Sequence, residues 1–165
     1  MHQLSARALL AAYRRHELSP VEVTRAVLEH VARWEPQLCA TYLLRPERAL
    51  QQARASEARW LRDAPCGALD GVPMTLKENI ATLGDATPLG TAASALTPAP
   101  ADAPPAARMR EAGAVLIAKT TMPDYGMLSS GLSSFHRLAR SCGSQRATCS
   151  STARVTSTGD SSWRR

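Results

Sequence analysis

The sequence predicts an α/β domain with a helical N-terminal region. Three observations point there. Two amphipathic segments, residues 4–15 and 19–36, precede any strong strand signal. Two compact apolar runs, 72–77 and 114–119, have the composition of short strands. Helix-like segments alternate with these runs, giving the order helix, helix, strand, helix, strand, loop, helix, strand.

Each element has a local reason. Leu4, Ala8, Leu9 and Ala12 recur at helical spacing along one side of residues 4–15. In "LSPVEVTRAVLEHVARWEP", Ser19 is a good N-cap and Pro20 suits the first helical position. Glu22 stands three residues after the cap, where it can close a capping box. Val23, Val27, Val31 and Trp34 form the apolar stripe, and Pro36 is expected to end the helix. "LCATYLL", residues 38–44, has strand propensity. Pro46 opens a third helix over 47–62. A loop with Gly67, Gly71 and Pro73 leads into a strand in which Val72, Met74 and Leu76 alternate with Pro73, Thr75 and Lys77. Residues 84–105, rich in Pro, Ala and Thr, are expected to be mostly irregular. A helix over 104–112, stopped by Gly113, precedes the buried strand "AVLIAK".

At 165 residues the chain is long enough for one domain with a core. Only 4% of residues are aromatic, so that core is built from Leu, Ala, Val and Met. No run reaches the length of a membrane span, and the N-terminus lacks the layout of a secretory signal. It reads as a folded amphipathic helix, with an organelle-targeting peptide as the lesser alternative, and a cytoplasmic location is expected. Cys39, Cys66, Cys142 and Cys149 have no zinc-ligand spacing and are expected to be free thiols. The net charge of +6 resembles a nucleic-acid signal until it is located. Residues 137–165 hold six arginines and one acid, Asp160, a balance of +5, which leaves +1 for residues 1–136. The chain therefore divides into a nearly neutral body, 1–136, with no nucleic-acid partner expected, and a basic Ser/Thr/Arg-rich tail, 137–165, expected to be disordered.

Lys77 stands out. It is one of two lysines among twenty basic residues, and it closes a predicted strand. Arginine keeps its proton in proteins, whereas a buried lysine can lose it. In α/β folds ligands gather outside the C-terminal strand ends. A neutral lysine there could act as a base toward a serine hydroxyl. The alternative is a surface lysine paired with Glu78. Lys119 also ends a strand-like run, so position alone does not separate the two.

Three stretches carry a resemblance. "GALDGVPMTLKENI" resembles the lysine motif of the amidase signature family, "DAPPAARMREAGAVLIAKTTMPDYG" its next block, and "LSPVEVTRAVLEHVARWEPQLCAT" its N-terminal helices. The likeness covers about residues 4–136 in the family's order. It implies N-terminal helices followed by an incomplete amidase-signature mixed sheet with flanking helices. It also implies cleavage of carboxylic amide C–N bonds through a nucleophilic serine, a serine on a cis peptide bond and a lysine, here Lys77. The lysine takes a proton from the cis serine, an acyl-enzyme forms, and backbone N–H groups hold the oxyanion. The implied substrate is a small-molecule amide, and no metal or cofactor is needed. The substrate-facing loop corresponds to Gly126–Ser130, which makes Met127 a candidate substrate contact; a packed loop methionine is the alternative.

Past "GLSSFHRLAR" the sequence departs from the family. Ser150 and Ser151 stand near the distance of the cis serine without its flanking glycines, and the nucleophile is expected beyond Arg165. The expectation is a truncated or frame-shifted chain of marginal stability that lacks the nucleophile, with a short isoform carrying a functional tail as the alternative. Three functional readings follow: an amidase by descent, a catalytically inactive remnant or interaction module, and a relative of the A component of glutamyl-tRNA amidotransferase.

Overall fold

A computed structural model describes residues 3–127 and 133–136. The tail at 137–165, with Ser150, Ser151, Cys142 and Cys149, lies outside the described residues, as does most of the Gly126–Ser130 loop. The described chain is α/β, with four helices and a three-stranded mixed sheet.

Helix α1 spans Ala6–Arg14 and is capped by Ser5, whose Oγ accepts from the Ala8 N–H at 3.2 Å. Helix α2, Pro20–Leu38, begins with the capping box read from the sequence: Ser19 Oγ accepts from the Val21 N–H at 2.9 Å, and Glu22 accepts from the Ser19 N–H at 3.0 Å. Its end differs from expectation. Pro36 lies inside the helix, which runs on to a left-handed Cys39 (φ 46°). Proline removes only the bond to the Ala32 carbonyl, and Ala32 is on the exposed side, where water can satisfy that group. Trp34 is likewise not a core residue. It is 43% exposed, while Val23 and Leu28 make the buried stripe.

Because α2 takes Leu38, the strand expected over 38–44 shrinks to β1, Thr41–Tyr42, and Leu43 (φ 55°) turns out of extended conformation. Helix α3 is Pro46–Trp60, strand β2 Pro73–Lys77, helix α4 Pro104–Glu111 and strand β3 Val115–Thr120. Gly113, with φ 85°, ends the α4 turn as expected, its N–H donating to the Arg110 carbonyl.

Strand order is β1-β3-β2, with β1 antiparallel and β2 parallel to the central β3. Helices cover β3 on both faces, which is why its apolar run is continuous. Leu28, Ala49 and Ala53 of α2 and α3 pack on Val115, Ile117 and Ala118. On the other face Ala106 of α4 packs on Leu76 and Leu116. Leu9, Tyr13, Val23 and Trp60 tie α1 to α2 and α3. Among the described residues no helix is long and apolar enough to cross a membrane.

Candidate functional site

Two strand ends carry the two lysines, and the chain fixes both by close packing. The loop leading into β2 is held from three sides. Tyr13 OH donates to the Gly71 carbonyl at 3.1 Å, Trp60 Nε1 donates to the Asp70 carbonyl at 3.1 Å, and the Gly71 N–H donates to the Gly113 carbonyl at 3.0 Å. Asp70 is fully buried. It accepts from Arg59 Nε at 2.8 Å, from Arg59 Nη2 at 2.6 Å and from the Cys66 N–H at 2.8 Å. Burial alone would push the Asp70 carboxyl up; the Arg59 guanidinium and the Cys66 N–H outweigh it and hold the group below the usual carboxylate range. Gly71 is required here: its φ is 82°, and a Cβ would stand 2.6 Å from Ser56 Oγ and 2.9 Å from Pro20 Cγ.

At the far end of β2 a register shift decides which way the lysines face. Met74 pairs with Leu116, but Thr75 pairs with Ala118, so Ile117 is the extra residue of a bulge. Ile117 and Ala118 therefore both reach the α2/α3 core. Beyond the bulge Lys119 pairs with Leu76, and Lys77 pairs with Thr120. Paired residues share a face, and neighbours along a strand alternate, so the two lysines project from opposite faces.

Lys77 is exposed at the C-terminal end of its strand; the shelter that the sequence suggests for it is found at Lys119 instead. Lys119 is 4% exposed, and its Nζ has no hydrogen-bond partner among the described residues. Burial drives its pKa down, and the carboxylates of Asp85 and Glu78 only partly counter this. A cavity of about 30 Å³ adjoins it, lined also by Arg45, Thr82, Asp85 and Arg110, which is room for one water. Tyr42, opposite Lys119 on β1, has its phenol pushed up to about 12 by burial, then by Glu78 and Asp85. Two features hint at Lys119 in the sequence: it is the second lysine of an arginine-rich chain, and it interrupts a wholly apolar strand.

Glu78, next to Lys77, turns inward instead of pairing at the surface. It is fully buried, accepts from the Gly90 N–H at 2.7 Å, and pairs with His136 Nε2. Met127 is 82% exposed and follows a 3₁₀ turn, Asp124–Gly126, which is tied to the Leu89 carbonyl through the Tyr125 N–H at 2.7 Å. The Leu89–Gly90 segment thus links the Met127 turn to the end of β2. No group of three or more His, Cys, Asp or Glu among the described residues could hold a metal ion.

Residues 22–151 match the family model for Amidase. The chain belongs to the amidase family. It is 36% identical over 138 residues to the A component of the glutamyl-tRNA(Gln) amidotransferase of Chloroflexus aggregans, a match that covers 84% of this chain and 28% of that protein. The same component in Methylococcus capsulatus is 35% identical over 136 residues, 82% of this chain and 28% of the relative. Among solved amidase structures, the peptide amidase of Stenotrophomonas maltophilia superposes with a TM-score of 0.71 at 30% identity, over 79% of this chain and 28% of that one. A bacterial aryl acylamidase of the amidase signature enzymes superposes with a TM-score of 0.67 at 25% identity, over 74% of this chain and 26% of that one. The chain spans a little over a quarter of the length of the curated amidase-family relatives it matches.

Proposed function

We propose that this chain supplies the lysine of an amide-hydrolysing site whose substrates are carboxylic amides. Lys77 accepts a proton from a serine hydroxyl, and that serine activates a nucleophilic serine for attack on the amide carbon. The acyl-enzyme forms as ammonia or an amine leaves, and water then frees the acid. The observation that supports this most is the position of Lys77, the last residue of β2, beside the parallel strand β3 and open to solvent. Ligands of α/β sheets collect outside such strand ends. Family membership supplies the reaction class. The open side of Lys77 leaves space for hydroxyls and substrate. Met127, exposed beyond its turn, faces the substrate in this reading.

The test is ammonia release from primary amides by the purified chain: turnover means that the chain's own serines complete the site, and its absence favours the inactive remnant that a missing nucleophile would leave. Lys77→Ala is expected to lower kcat/KM by about 10³-fold or more. Turnover that survives the substitution unchanged sinks the reading. The 36% identity to an amidotransferase component favours a second one, in which the same chemistry frees ammonia from glutamine within an assembly. Glutamine and a peptide amide in one assay separate the two.

A further inference from the structure

The Glu78–His136 pair joins residues 58 apart in sequence directly behind Lys77. The Glu78 side chain is fully buried and that of His136 is 7% exposed. The imidazole is boxed by aromatic rings, with Tyr42 at 5.1 Å and Phe135 at 4.8 Å between centroids, both edge-on. The segment bearing it is fastened as well. Ser133 Oγ donates to the Gly90 carbonyl and accepts from the His136 N–H at 2.7 Å. Ser134 Oγ accepts from the Ala92 N–H at 3.0 Å and donates to Asp124 Oδ2 at 2.9 Å. Gly90 is packed too closely for any side chain: its φ is 71°, and a Cβ there would stand 2.3 Å from the Pro123 carbonyl oxygen.

All of this converges on one carboxylate. Glu78 Oε1 takes the Gly90 N–H and Oε2 takes His136, so a single side chain joins the 88–91 segment to 133–136. Its own backbone closes β2: the Glu78 N–H donates to the Thr120 carbonyl and the Ile80 N–H to the Lys77 carbonyl, both at 3.0 Å. Fixing the inward side chain of Glu78 fixes the turn, and hence the direction in which Lys77 leaves the sheet.

We propose that His136 is a positioning residue for Lys77, acting through Glu78 to hold the β2 strand end in one conformation. Its importance to chemistry rests on the reading of Lys77 given above, but the holding itself does not. A carboxylate sealed from water and left without its ring partner is costly, so the turn should loosen when the imidazole is removed.

Amide hydrogen exchange on the full chain tests this, comparing the unmodified protein with His136→Ala, His136→Gln and His136→Leu. In His136→Ala the Gly90, Glu78 and Ile80 amides should exchange about tenfold faster or more, with the Val115 amide in the sheet unchanged. His136→Gln still offers a donor and should restore slow exchange, whereas His136→Leu, which fills the space without a donor, should not. Unchanged rates in His136→Ala, failure of His136→Gln to restore them, or slow exchange in His136→Leu overturns the proposal. If His136→Ala loses protection at Val115 too, and so does not fold, His136→Gln decides alone: slow exchange at Glu78 and Ile80 supports the proposal, and fast exchange there overturns it. No turnover is read, so failure of the amide chemistry would show only in the Lys77→Ala assay.

Discussion

Asp70 and Lys119 are opposite charges taken out of water at opposite ends of the same small sheet. Asp70, 0% exposed, stands before β2 and accepts three charge-assisted or backbone hydrogen bonds. Lys119, 4% exposed, stands near the end of β3 with no partner on its Nζ among the described residues. The difference separates two uses of a buried charge. A fully satisfied one is a fastener: Asp70 pins the loop between α3 and β2 and thereby sets where Lys77 will emerge. An unsatisfied one costs stability and persists for some other reason.

The largest effect should come from breaking the fastener. Asp70→Ala leaves the Arg59 guanidinium, whose side chain is 27% exposed, without its carboxylate and frees the Cys66 N–H. We expect a loss of about 3 kcal/mol, read as a lower urea midpoint at unchanged m. A midpoint equal to that of the unmodified chain would mean that Tyr13, Trp60 and the backbone bonds to Ala112 and Gly113 hold the loop without Asp70.

Much of this arrangement is legible in the sequence because its causes are local. Ser19, Pro20 and Glu22 announce the start of α2 through bonds spanning three residues, and Gly113 announces the stop of α4 through a left-handed φ. The apolar run before Lys119 marks a strand covered on both faces. The lysine motif also leads to a strand end. What escapes depends on distant partners or on single-residue shifts. Pro36 reads as a stop but is not one, because its cost depends on whether the Ala32 carbonyl meets water, which no local pattern states. The bulge at Ile117 moves Lys119 to the face opposite Lys77, and a one-residue change of register leaves no mark in composition. The pairing of Glu78 with His136 spans 58 residues and is invisible to any periodicity.

A smaller effect, of opposite sign, is expected at Lys119. Lys119→Met keeps the stem's packing and removes an amine without a hydrogen-bond partner among the described residues, so at neutral pH the chain should gain about 1 kcal/mol. The sign with pH follows from the lowered pKa of the folded state. Between that value and the ordinary lysine value, about 10.4, the unfolded chain binds more protons than the folded one. The stability of the unmodified chain therefore rises with pH through that window, and the advantage of Lys119→Met should shrink as pH approaches 10. A loss of stability in Lys119→Met would instead assign the amine a bonding partner, and the contrast with Asp70 would vanish.

The smallest effect is expected at Lys77 itself. The side chain is exposed at a strand end, so Lys77→Met removes neither buried area nor a buried bond, and its stability should stay within about 0.5 kcal/mol of the unmodified chain. That near-absence of effect is informative beside the turnover assay. Lost turnover with an unmoved thermal midpoint places the role of Lys77 in chemistry, because the fold would then be known not to need it. A drop above about 1 kcal/mol would make Lys77 a structural residue, and then lost turnover in Lys77→Ala could no longer be assigned to a missing proton acceptor. The two lysines would also have exchanged roles, with the buried one left as the candidate for titration, which measuring the Lys119→Met variant in the same turnover assay would decide.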